Sequence, residues 1–107
     1  MPAYVMLTQV ASDMLGSPRS LETAEHNVMA AIRADCPTVK WMQSYAVMGP
    51  YDYMDVFQAP DNDTATRVSM LVRTYGRGTS QVWPATEWND FEKMIEAMPE
   101  HREPPMA

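Results

Sequence analysis

VKWMQSYAVMGPYDYMDVFQA, residues 39–59, is the stretch that decides the fold. From Val39 to Met48 the chain is rich in strand formers and alternates Val39, Trp41, Gln43, Tyr45 and Val47 against Lys40, Met42, Ser44, Ala46 and Met48. Gly49-Pro50 marks a tight reversal, and Tyr51 to Ala59 runs back until Pro60-Asp61 ends it. The stretch predicts an antiparallel hairpin. Its return strand sets Tyr51, Tyr53, Asp55 and Phe57 on one face and Met54 and Val56 on the other.

Before the hairpin, Tyr4 to Val10 is a strand-rich run with almost no charge, closed by Ser12-Asp13 and Gly16-Ser17-Pro18. Ser17 followed by Pro18 is a helix start, because the Ser oxygen accepts from free N–H groups and Pro suits the first position. Leu21, Ala24, Val28, Ala31 and Ile32 recur at helical spacing, and Pro37 stops the helix after Cys36. Beyond the hairpin, Asp61 or Asp63 caps a second helix bearing Ala65, Val68, Leu71, Val72 and Tyr75, with Gly76 just past its end. Thr79 to Thr86 is a fourth strand. Pro84 within it cannot donate a ladder hydrogen bond, which assigns the strand to a sheet edge. Thr86 then caps a third helix with Trp88, Phe91, Ile95 and Met98, stopped by Pro99.

The order β-α-β-β-α-β plus a helix predicts an α+β, ferredoxin-like domain over residues 1–98, followed by a flexible tail over 99–107. Helices cover one face of a four-stranded antiparallel sheet, with the first and third strands central. A chain of 107 residues fits one domain with a modest core. Both faces of the hairpin carry large side chains, and two helices cover only one of them. Eleven methionines and three tryptophans add apolar surface that a small core does not hide. The second face is therefore expected to meet another copy, in a homodimer or larger homo-oligomer.

The net charge of −6 and the scatter of the basic residues, with Arg67, Arg73 and Arg77 the nearest to a cluster, argue against nucleic acid and against anionic membranes. Cys36 is the one cysteine, which points to a reducing compartment. Met1 to Leu7 lacks a basic leader, and no run approaches the roughly 18 apolar residues of a membrane span. The expectation is a cytoplasmic protein with no membrane partner.

Met48-Gly49-Pro50-Tyr51-Asp52, followed by a strand and Ala59-Pro60-Asp61, resembles the signature of the GYD family. Tyr4-Val5-Met6-Leu7-Thr8 is similar to that family's first strand, and Thr86-Glu87-Trp88 through Phe91-Glu92-Lys93-Met94-Ile95 to its last helix. The resemblance implies a dimeric α/β barrel in which two ferredoxin-like sheets pack face to face. It implies no settled activity. More distant relatives of that architecture include cofactor-independent monooxygenases, lactone isomerases and haem enzymes, so fold does not choose function. Asp55 departs from the family's pattern by interrupting an otherwise apolar third strand.

The candidate chemistry is sparse, and each reading has a structural counterpart. Asp55 shares its face with aromatics; buried, it is a general acid or base, and otherwise it is an ion-pair partner or a solvated group. Tyr51-Asp52 is either a pocket phenol with its polar partner or a turn whose Asp accepts backbone N–H bonds. Trp41, Tyr45, Tyr51, Tyr53 and Trp83 are the ligand-binding candidates, suited to a small apolar or aromatic ligand, and are equally suited to a dimer core. His26 reads as a solvated helix residue and His101 lies in the tail, so no spaced metal set exists; a haem ligand is not marked. Met94 and Met98 suit core filling better than a copper site. Cys36 has no base or CxxC partner, and Gly76-Arg77-Gly78 lacks the spacing of a phosphate loop. No cofactor and no metal are expected. The favoured function is a homo-oligomeric small-molecule-binding or accessory protein. The alternative is a cofactor-independent monooxygenase- or isomerase-like enzyme using Asp55.

Overall fold

The structure is a computed structural model and describes residues 1–12, 17–76 and 78–99. Its strands are β1 (Ala3–Val10), β2 (Lys40–Ala46), β3 (Tyr53–Gln58) and β4 (Gly78–Ala85); its helices are α1 (Pro18–Asp35), α2 (Asn62–Tyr75) and α3 (Trp88–Ala97). The strands form one antiparallel sheet in the order β2-β3-β1-β4. Strands one and three are central, as expected, and Pro84 sits on the edge strand β4 where its missing N–H is harmless. This is the ferredoxin-like α+β fold with an added C-terminal helix. The chain breaks read at Asp13 and Gly16, and the tail from residue 100, lie outside the described residues.

Local chemistry sets the helix starts. Ser17 Oγ accepts from Ser20 N–H at 3.3 Å with Pro18 at the first helical position. Asp61, rather than Asp63, caps α2 by accepting from Thr64 N–H at 2.8 Å and Thr64 Oγ1–H at 2.7 Å. For α3 the cap is Glu87 and not Thr86: the longer carboxylate reaches Asn89 N–H at 2.9 Å. The expected tight turn at Gly49-Pro50 is instead a longer connection. Val47 N–H donates to Asp52 O (2.9 Å), and Asp52 N–H donates to Thr8 O (2.8 Å), so the reversal leans on β1.

Alternation buries Tyr4, Met6, Thr8 and Val10 of β1 beneath the helices, together with Phe57 of β3. Val28 and Ile32 of α1 and Ala65, Val68 and Val72 of α2 close over them. Tyr4, Phe57 and Trp41 stack in a row across three strands, with centroid separations of 5.7 and 5.3 Å. Helix α2 is pinned to β4 by the Ser69 and Ser80 hydroxyls, 2.5 Å apart, and by Arg73 Nη2 donating to Ser80 O at 2.7 Å.

The other face of the sheet carries Val5, Leu7, Met54, Val56 and Trp83. Among the described residues no helix packs across it. The apolar stripe of α3 is exposed as well: Trp88, Phe91, Met94, Ile95 and Met98 all face solvent. Met94 and Met98 are therefore not core filler, because the short Thr86-Glu87 link carries α3 away from the helical layer instead of back onto it.

Gly76 lies where α2 ends against α1. A Cβ there would stand 2.6 Å from Val72 O and 3.1 Å from Val28 Cγ2. Its backbone is right-handed, so the requirement is for space and not for an unusual φ. Gly76→Ala is expected to lose about 1–2 kcal/mol net, the clash outweighing the entropy gained by removing a glycine. Urea unfolding should read this as a lower midpoint with an unchanged slope.

Candidate functional site

The helix-facing side of the sheet is filled at one end and hollow at the other. Large rings occupy the end near Tyr4 and Phe57. Toward Val10 the side chains become small, with Thr8, Ser44, Ala46, Ala24 and Gly76 around a cavity of about 240 Å³ beneath α1. Leu21, Val28, Met29, Trp41 and Val72 supply much of its apolar wall. Its polar groups come from Thr8, Glu25, Ser44, Tyr45, Tyr53 and Asp55.

A β-bulge decides which residues of β2 take part. The register with β3 runs Trp41↔Phe57 and then Gln43↔Val56, so Met42 is an extra residue. Strict alternation put Trp41 with Gln43 and Tyr45, and the bulge overturns that grouping. It keeps Trp41 over Phe57 on the helix side, then brings Ser44 opposite Asp55 and Ala46 opposite Tyr53. Trp41 Nε1–H donates to Ser44 Oγ at 2.7 Å, and the Ser44 hydroxyl hydrogen-bonds the Asp55 carboxylate. Tyr45 falls on the outer register but still borders the cavity.

Asp55 is half-buried. Burial raises its carboxyl above the usual range and the nearby Glu25 charge adds to this, while the Ser44 hydrogen bond opposes it. Burial likewise raises the Tyr53 phenol, helped by the negative charges of Glu25, Asp52 and Asp55. Thr8 is only 5% exposed, and its Oγ1 is a buried side-chain oxygen with no hydrogen-bond partner among the described residues. Its cross-strand neighbour Ser80 is equally buried but satisfied by Ser69. The same strand layer thus holds one completed hydroxyl and one with no partner among the described residues.

The sequence-derived candidates divide. Trp41, Tyr45, Tyr53 and Asp55 meet at the cavity. Trp83 does not: it lies on the opposite face, 49% exposed, with Nε1–H donating to Gln81 Oε1 at 3.2 Å. Tyr51 precedes β3, so strand alternation does not reach it and it stays outside the cavity. Asp52 is structural, its Oδ2 accepting from Val10 N–H at 2.8 Å. Thr8, Ser44 and Glu25 are the site residues that sequence reasoning missed. Thr8, a hydroxyl in an otherwise apolar buried run, was the available signal; a bulge that recruits Ser44 leaves none.

Other reactive groups lie elsewhere. Cys36 is buried, and burial first, then Asp35, pushes its thiol up against a smaller opposing effect of Arg67, so it is a poor nucleophile. His26 is exposed on α1. Among the described residues no group of three or more His, Cys, Asp or Glu could hold a metal ion. No helix among them is long and apolar enough to cross a membrane. Arg77 and His101 lie outside the described residues.

Comparison with protein families finds the GYD domain over residues 4–95. The chain belongs to the GYD domain family. No curated protein matches it. The matched span of the GYD domain runs from β1 into α3 and includes every residue that lines the cavity.

In this GYD domain the folded state holds the Asp55 proton more tightly than the unfolded chain does. Ionising Asp55 therefore costs stability as pH rises past the unfolded value of about 3.9, and the cost is complete above the raised folded value. Asp55→Asn keeps an acceptor for Ser44 and removes the charge. The variant is expected to be more stable than the parent at pH 7, with the difference closing below about pH 4. Thermal unfolding at both pH values checks this; a variant less stable at pH 7 would mean that ionised Asp55 has a favourable partner.

Proposed function

We propose that this GYD-domain protein is a homo-oligomeric small-molecule-binding protein whose ligand enters the cavity between the sheet and α1. The observation that carries the reading is the combination of an apolar hollow with a polar end that includes Thr8, whose hydroxyl has no partner among the described residues. Buried hydroxyls are normally satisfied, and pockets with a few convergent polar groups are the usual form of a ligand site. At about 240 Å³ the cavity suits a small ligand, given that a dry cavity of roughly 150 Å³ holds benzene. A second reading, an enzyme of the cofactor-independent monooxygenase or isomerase kind, draws on Asp55: a half-buried carboxyl raised in pKa and hydrogen-bonded to Ser44 is suited to proton transfer.

Self-association is part of the proposal. The uncovered sheet face and the exposed stripe of α3 form apolar surface of the kind that oligomers bury. A face-to-face pairing of two sheets, as in a dimeric α/β barrel, covers the first of these. Such a contact should bury more than about 1,000 Å² in total.

Two variants test the reading. Ala24→Leu places methyl groups in the cavity and should abolish the thermal shift given by small aromatic ligands while keeping the chain folded. Retention of such binding by the filled variant would remove the cavity as the site. Leu7→Glu charges the uncovered face and should convert a dimer or larger assembly into folded monomer by light scattering. A parent protein that is already monomeric at micromolar concentration contradicts the assembly.

A further inference from the structure

We propose that the cavity selects an amphipathic amine, its protonated nitrogen held by Asp55, Thr8 and Tyr53 and its small aromatic or aliphatic body set against Leu21, Val28 and Trp41. This rests on the ligand-binding reading above and assigns the ligand's chemical class.

The charge pattern is the first support. Glu25 from α1, Tyr53 and Asp55 from β3 and Tyr45 from β2 are the ionisable groups lining the cavity; β1 and α2 contribute none. Among the described residues no Lys, Arg or His lines it. The described lining is therefore acidic, within a chain of net charge −6, and it disfavours an anionic ligand. Arg73, the basic residue of the last turn of α2, is engaged elsewhere by Ser80 O.

Hydrogen-bonding capacity points the same way. Thr8 pairs with Tyr53 across β1 and β3, and Asp55 follows two residues on, on the same face. Directly opposed side chains in such a pair have Cβ atoms roughly 5 Å apart, so one small group reaches several of them. Thr8 is 5% exposed and its Oγ1 has no partner among the described residues, whereas Ser44 is already committed to Trp41 and Asp55. An alkylammonium brings three N–H donors and no acceptor. It can donate to the carboxylate and to both hydroxyl oxygens at once. A neutral alcohol brings one donor and no charge for Asp55 and Glu25.

Titration calorimetry of the full chain with 2-phenylethylamine, 2-phenylethanol and 3-phenylpropionate tests this, with hexylamine, hexanol and hexanoate as the aliphatic set. The amine of either set should bind at least about tenfold more tightly than its alcohol, and the carboxylate should not bind. Asp55→Asn should abolish the preference for amine over alcohol while leaving alcohol binding in place, and Thr8→Val should weaken amine binding. Amine affinity of the parent should also fall as pH is lowered through the titration of Asp55. An alcohol or carboxylate that binds as tightly as its amine overturns the amine assignment and leaves the ligand-binding reading standing. Binding by none of the six at millimolar concentration overturns both.

Discussion

Tyr4, Phe57 and Trp41 stack side by side across β1, β3 and β2, and the placement of everything else on the helix-facing side follows from that row. Each stacked contact adds about 0.5–1.5 kcal/mol beyond simple burial, a useful fraction of the 5–15 kcal/mol that holds a domain together. Its larger effect is on register. Strand side chains alternate, so a slip of one residue in β1 or β3 would send Tyr4 or Phe57 to the outer face. Phe57 is fully buried between its two neighbours and fixes both strand pairings at once. Tyr4 is fixed further by its hydroxyl, which donates to Asn62 Oδ1 at 2.6 Å and so joins the row to the start of α2.

Keeping Trp41 on the row has a consequence further along β2. Without the extra residue at Met42, alternation would carry Gln43 and Tyr45 to the helix side and leave Ser44 on the other. The bulge reverses this, so the hydroxyl that tempers Asp55 comes from the strand that also anchors the aromatic row. Packing at one end and polarity at the other are therefore coupled through a single irregularity. Bulges on edge strands beside a site commonly re-aim side chains in this way.

How much was legible in the sequence follows from the range of each interaction. Ser17-Pro18, Asp61 and the edge placement of Pro84 depend on neighbours a few residues away, and the structure holds them as read. Alternation suffices to put Asp55 and Tyr53 on one face because β3 is regular. Tyr51 does not join them, because the alternation that would group it begins only at Tyr53. Residue type alone makes Trp83 a pocket candidate, and type says nothing about which face of β4 it occupies. Thr8 and Glu25 reach the cavity from β1 and α1, and only the folded chain brings them to Asp55. The exposure of α3 was hidden for the opposite reason. Its periodicity is that of a core-facing helix, and periodicity does not say whose core.

The two faces of the sheet answer different physical demands with the same residues of backbone. Leu7 points outward and Thr8 inward; Met54 points outward and Asp55 inward. Inside, a small-residue hollow leaves room beside polar groups such as Tyr53 and Asp55 that a close-packed core would exclude. Outside, the same strands present apolar side chains that lose nothing by being dried. Polar cost is thus confined to one side and apolar cost to the other. A surface that buries Leu7 and Met54 would restrain the backbone of β1 and β3, and with it the relative positions of Thr8, Tyr53 and Asp55. The precision of the inner site is in this sense a property of how the outer face is covered, even though no side chain is shared between them.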